Sequence, residues 1–185
     1  TTVLKEDIGD GDHSTRSCID AHATGKAILK IKDPGILAGV DLAENIFSFA
    51  EPSAVVKKFK KDGDEMNYGE TAFEVSAKVW TILSCERLVL NCMQRMSGIA
   101  TLTKRYTNKL IGFHTQLLDT RKTTPNFRLI EKEAVKIGGA VNHRFGLYDM
   151  ILLKDNHIDY CGGIEKAINK AFRYVQQIKP GLKIE

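Results

Sequence analysis

The spacing of hydrophobic and polar positions changes character along the chain, and the changes mark its elements. β-forming side chains cluster over residues 27–32 and 35–40, on either side of Asp33-Pro34-Gly35, which reads as two strands and a turn. Asp41 is placed to cap a short amphipathic helix over 42–50, stopped at Pro52. Two more strands are predicted at 55–59 and 73–78, with Asp62-Gly63-Asp64 turning between them. From Ser84 to about Leu110 the period becomes helical: Leu88, Cys92, Met96, Ile99 and Leu102 recur at steps of three and four. Gly98 falls inside that helix, where glycine costs about 1 kcal/mol relative to alanine. It marks either a break between two helices or a close packing contact, and the domain junction is placed there.

Beyond residue 110 strand-like and helical segments alternate. Strands are predicted at 114–119, 148–154 and 182–185. Helices are predicted at 128–137, closed by Gly138-Gly139, and at 163–178, closed before Pro180-Gly181. The strands start about 34 residues apart, a βα repeat that requires a parallel sheet, open or closed into a barrel. The expected organisation is a mixed α+β domain with its linking helix over 1–98, then the first part of a parallel α/β domain over 99–185. An apolar interior strand of a parallel sheet needs neighbours. The third strand has barely begun at Glu185, so the 185 residues are expected to be a piece of a longer polypeptide.

Composition narrows the classes. Hydrophobic residues at 43% and charged residues at 27% exclude disordered, collagen-like and low-complexity chains. No apolar run reaches the roughly 18 residues of a bilayer-crossing helix, and the acidic opening TTVLKEDIGDGD does not read as a signal peptide. These features predict a soluble globular protein. Cys18, Cys85, Cys92 and Cys161 contain no C-x-x-C pair and read as free thiols of a reducing cytoplasm. The formal charge of +4 hides an asymmetry. Residues 1–98 carry 12 basic and 15 acidic side chains, whereas 99–185 carry 15 basic and 8 acidic. The basic half points to an anionic partner, either a nucleic acid or a small polyanion.

Candidate chemistry follows from where functional groups collect in parallel βα folds, at the C-terminal ends of strands. That rule selects 119–124 after the first strand, Asn142-His143-Arg144, and 154–157 at the end of the second. Arg121, Lys122, Arg144 and Lys154 would then crowd one opening, with His143 as a further cation. Such a cluster suits a substrate with several carboxylates or phosphates. The competing possibility is that each cation pairs with a local acid such as Asp119, Asp149 or Asp155. Asp7, Asp10 and Asp12 lack the spacing of a calcium loop and read as a polar turn. The charge run at 57–65 reads as an exposed hairpin, and Trp80 as part of the first domain's core.

The segments ERLVLNCMQRMSGIAT (86–101), DTRKTTP (119–125), GGAVNHRFGLYD (138–149) and LLKDNHI (152–158), with the opening EDIGDGDHSTRS, resemble the quinolinate phosphoribosyltransferase family, in the family's order and spacing. The resemblance implies an N-terminal α/β sandwich domain followed by the start of an incomplete parallel α/β barrel. It implies an enzyme of NAD biosynthesis that moves phosphoribosyl from phosphoribosyl pyrophosphate to quinolinate and releases pyrophosphate and CO2, with Mg2+ assistance. Lys122 and Lys154 are the implied catalytic residues. Thr120, Arg121, Lys122, His143, Arg144 and Lys154 are the implied substrate contacts, and Arg87 is expected to reach the neighbouring site of a homodimer. No metal ligand is expected within these residues; those for Mg2+ are expected beyond Glu185, as is the acidic half of the site. The 185-residue piece alone is therefore expected to be inactive. Alternatives are a ModD-like paralogue with another acceptor, a catalytically dead scaffold, and a basic nucleic-acid-binding module. Against the last, the cations converge on strand ends and aromatic stacking platforms are lacking. No membrane partner is expected.

Overall fold

The computed structural model of the chain describes residues 2–185, which fall into two compact units. The first comprises the chain up to Asp119 together with Leu129–Val141; the second comprises Thr120–Arg128 and Asn142–Glu185.

The first unit opens with two short helices, α1 (Thr2–Ile8) and α2 (His13–Cys18), where the sequence suggests only a polar turn. Asp12 explains α2: its carboxylate accepts the Thr15 N–H at 3.0 Å, one of the donors a helix start leaves unpaired. There follow β1 (Thr24–Lys30), β2 (Gly35–Ile36), α3 (Val40–Ala50), β3 (Val55–Lys58), β4 (Glu65–Met66) and β5 (Thr71–Lys78). β5 is the central strand of an antiparallel sheet ordered β1-β5-β3. Its Ala72, Phe73, Val75 and Ala77 are buried, while β1 and β3 keep exposed positions. β2 does not extend to residue 40 as expected. It pairs with β4, a two-residue strand without its own sequence signal, and the chain enters α3 at Val40.

The N-terminus of α3 is capped from a distance. Gly39 adopts φ 98°, a left-handed conformation suited to glycine, and the Val40 N–H donates to Asp62 Oδ1 at 2.8 Å. Asp41, the expected cap, instead pairs with Lys58, as does Glu44, each at 2.6 Å. With Lys60 on Glu70 at 2.9 Å, charges of the 57–65 run are used within the chain. Burial pushes the Asp62 carboxyl above its ordinary value and outweighs the hydrogen bonds that pull it down.

Helix α4 (Val79–Asn108) is the spine of this unit. Ile82, Cys85, Val89 and Met93 join the core beneath the sheet with Val40 and Phe47 of α3. Ser97 accepts the Ala38 N–H at 3.0 Å and Thr101 accepts the Ile36 N–H at 2.8 Å, so α4 hydroxyls satisfy donors of the chain around β2. Trp80 is half-buried and donates to the Ile19 carbonyl at 3.0 Å. Gly98 neither breaks the helix nor packs closely: a Cβ there would meet nothing within 4 Å. The close approach occurs at Gly138, after α5 (Arg128–Ile137), where a Cβ would sit 2.6 Å from the Ala100 carbonyl oxygen. Ile130, Ala134 and Ile137 of α5 pack with Met96 and Ala100.

The second unit contains α6 (Asp155–Cys161) and α7 (Ile164–Gln177). The latter matches the predicted helix at 163–178; the former occupies a stretch read as loop. The strands predicted at 114–119, 148–154 and 182–185 do not form as extended strands. Only isolated parallel bridges are present there, Leu118 to Val141 in the first unit and Ile151 to Ile184 in the second, because few residues of each segment find a pairing partner. Among the described residues no helix is long and apolar enough to cross a membrane.

Three substitutions test these contacts. Gly98→Ala is expected to raise stability by about 0.5–1 kcal/mol, and Gly138→Ala to lower it by about 1–3 kcal/mol; thermal and denaturant melts read both. A carboxyl whose folded value is raised lends stability that is full below its ordinary value and lost as pH rises through the folded one. Wild type minus Asp62→Asn stability should therefore fall as pH rises from about 3 to about 7; a flat difference contradicts the burial of that charge.

Candidate anion-binding site

Two chain segments leave the first unit side by side. The Val141 N–H donates to the Leu117 carbonyl at 2.9 Å, and the Asp119 N–H donates to the Val141 carbonyl at 3.2 Å. This is parallel pairing, so both segments end in the same direction. Asp119 leads into Thr120-Arg121-Lys122, and Val141 leads into Asn142-His143-Arg144. Pairing that involves only the backbone thus starts two cation-bearing segments from adjacent points.

Inside the second unit those segments are tied by hydrogen bonds. Thr120 Oγ1 accepts the Lys122 N–H at 3.1 Å, which tightens the first turn. Arg128 donates from Nε to Thr123 Oγ1 at 3.0 Å and from Nη1 to the Phe145 carbonyl at 3.1 Å, joining one segment to the other. Asp149 accepts the N–H groups of Phe145 and Gly146 at 2.6 and 2.8 Å and closes the loop after Arg144. Arg144 donates to the Met150 carbonyl at 3.2 Å. His143 Nε2 lies 2.6 Å from Glu185 Oε2. The Leu153 N–H donates to the Glu185 carbonyl at 2.7 Å, which carries the connection to the strand end before Lys154. The Lys154 N–H donates to His157 Nδ1 at 3.1 Å, so this His157 nitrogen is unprotonated and accepts.

The surroundings of the cations bear on the two explanations for them. Asp119 is paired with Lys132 at 2.5 Å, and Asp149 accepts the two loop N–H groups. Asp155 stands in the first turn of α6, where a helix terminus favours a carboxylate. Arg121, Lys122, Arg144 and Lys154 have no ion-pair partner among the described residues. Arg121 Nε is buried without a hydrogen-bond partner, a donor whose desolvation an external acceptor would offset. The set can hold a ligand carrying several carboxylates or phosphates, with bidentate geometry from arginine and point charge from lysine. Among the described residues no group of three or more His, Cys, Asp or Glu gathers to hold a metal ion.

The other anticipated residue lies elsewhere. Arg87 is on the exposed side of α4, in the first unit, and its side chain makes no hydrogen bond to a described residue. Three contributors escape a reading of the sequence: Arg128, which joins the segments, Lys132, which takes Asp119, and Glu185, which meets His143. Partner choice across such separations has no local signal.

The fold and the candidate site define an α/β protein whose parallel strand ends lead into a cluster of cationic side chains. Two family domains match the chain: "Quinolinate phosphoribosyl transferase, N-terminal domain" over residues 12–97, and the C-terminal domain of the same family over 99–185. The chain belongs to the quinolinate phosphoribosyltransferase family. It is 44% identical over 184 residues to quinolinate phosphoribosyltransferase [decarboxylating] 1b of Nicotiana tabacum, covering 99% of this chain and 52% of that protein. It is 45% identical over 166 residues to a probable nicotinate-nucleotide pyrophosphorylase [carboxylating] of Bacillus subtilis, covering 90% of this chain and 57% of that protein. The crystal structure of NadC from Streptococcus pyogenes superposes with a TM-score of 0.90 at 40% identity, covering 99% of this chain and 64% of that one. The architecture is thus the N-terminal α/β domain and barrel part of this family. The chain spans little more than half the length of the curated relatives it matches.

Asp149→Ala should free the N–H groups of Phe145 and Gly146. Their hydrogen exchange is expected to speed up by about tenfold or more, the loss of one or two net hydrogen bonds. Unchanged exchange at both amides would contradict the loop closure described.

Proposed function

We propose that the complete enzyme transfers phosphoribosyl from phosphoribosyl pyrophosphate to quinolinate, giving nicotinate mononucleotide, pyrophosphate and CO2. The observation that carries this reading is the buried, unpartnered Arg121 Nε within a set of cations whose nearby acids are otherwise engaged. The acceptor brings two carboxylates and the donor a phosphate and a pyrophosphate, so four anionic groups meet. Arg121, Arg144 and His143, with Thr120, hold and orient the dicarboxylate so that its ring nitrogen faces the ribose anomeric carbon. The nitrogen lone pair forms the new C–N bond as the bond to pyrophosphate breaks, and Lys122 and Lys154 offset charge on the departing group. The carboxylate beside the ring nitrogen then leaves as CO2, its bonding pair stays on the ring carbon next to the positive nitrogen, and that carbon takes a proton. Mg2+, when present, would travel on the donor's phosphates.

We also propose that the enzyme works as a homodimer in which Arg87 serves the partner's site; its exposed side chain, which makes no hydrogen bond to a described residue, supports this. A reducing, cytoplasmic setting suits the four free cysteines, two of them buried. Burial pushes the Cys85 thiol up to about 11, a protonated and unreactive group.

In the complete natural polypeptide, Arg121→Ala and Arg144→Ala should each weaken quinolinate binding by about a hundredfold, the worth of a lost charged, bidentate contact. Calorimetric titration checks it, with nicotinate as the monocarboxylate comparison; unchanged affinity in both variants removes the assignment. Mixing inactive Arg87→Ala and Arg121→Ala subunits should restore about a quarter of wild-type activity, because half the dimers then carry one intact site. No recovery on mixing contradicts the shared site.

A further inference from the structure

We propose that Lys132 is a positioning residue for the anion site, acting through Asp119 to keep Arg121 and Lys122 available to the bound anion; this rests on the function proposed above. Lys132 and Asp119 are buried, with side chains 2% and 6% exposed, and Lys132 Nζ lies 2.5 Å from Asp119 Oδ1. An ion pair taken out of water to this degree is a poor source of stability, because desolvation cancels much of its attraction. Its position in the chain accounts for it better.

Asp119 is the residue immediately before Thr120-Arg121-Lys122. Its backbone N–H is bonded to the Val141 carbonyl, and Val141 is the residue immediately before Asn142-His143-Arg144. One residue is thus joined to both cationic segments, to the first by covalent continuity and to the second by that hydrogen bond. It also carries a carboxylate, the functional group of the acceptor. Without the positive charge of Lys132, that carboxylate would be a net negative charge one residue before the cations that follow it in the chain, a disadvantage to an arriving anion. Lys132 reaches it from α5, and the neighbouring Glu131 takes Arg95 of α4. Adjacent helix residues diverge by about 100°, which lets α5 neutralise both pairs and hold its own place.

The test titrates the protein with inorganic pyrophosphate and, separately, with quinolinate, and follows thermal melting of the same samples. Lys132→Met, which leaves the carboxylate, should weaken pyrophosphate binding by about tenfold, the scale of one unscreened charge a few ångströms away. Asp119→Asn/Lys132→Met, which removes carboxylate and lysine together, should bind within about threefold of wild type, whatever its melting temperature. Lys132→Arg, which keeps the charge, should do the same, and it decides the matter against the double variant if Lys132→Met does not fold. A purely structural lysine predicts the reverse: affinity tracking stability, with the double variant no better than Lys132→Met. That pattern, or unchanged affinity in Lys132→Met, overturns the proposal. Wild type that binds pyrophosphate but not quinolinate refutes the acceptor while leaving the role of Lys132 intact. Binding of neither anion removes both.

Discussion

A short parallel pairing organises this molecule's chemistry. Two backbone hydrogen bonds, from Val141 to Leu117 and from Asp119 to Val141, bring two strand ends together with the same polarity. Antiparallel pairing of these residues would have sent the following segments in opposite directions. Because the pairing is parallel, Thr120-Arg121-Lys122 and Asn142-His143-Arg144 both begin where the strands finish. The general preference for functional groups at the C-terminal ends of parallel strands is here a consequence of two hydrogen bonds and the residues that follow them.

The second constraint is the allocation of negative charge. Residues 99–185 carry 15 basic and 8 acidic side chains, so which cations the acids take decides which are left over. Here Asp119 is taken by Lys132, Glu131 by Arg95, and Asp149 by loop amides. Arg128 is a cation too, but its donors go to Thr123 and Phe145, so it works as a tie between segments. Among the described residues Arg121, Lys122, Arg144 and Lys154 have no ionic partner, and a buried guanidinium donor remains unanswered. Unmatched charge on well-tied segments is what supports reading the cluster as a candidate binding site.

Much of this was legible in the sequence where a signal extends over several turns. The helix over 128–137 and the one ending near Gln177 coincide with their predicted spans within a residue, because their apolar period and glycine or proline stops are unambiguous. Shorter elements were not. α1, α2 and α6 run for only six or seven residues, too few for a period, and α2 starts from a single Asp12 cap. β4 exists because β2 supplies a partner, which is a tertiary fact. The site residues named from strand ends and family resemblance were visible as residue types, whereas their partners were not. Lys132 looks like any helix-surface lysine in the pattern, yet it is among the most buried side chains. Gly98 shows the opposite error: a glycine that looked structural lies in open space, and Gly138 makes the close contact.

We propose above that the cationic segments form one anion site with Arg121 at its heart. The most direct measurement is the nitrogen–proton NMR signal of Arg121 Nε during titration with quinolinate. A saturable shift, with slowed exchange of that proton and a parallel response from Arg144, is the predicted result. A signal at Arg121 that stays unmoved while quinolinate binds elsewhere would contradict it.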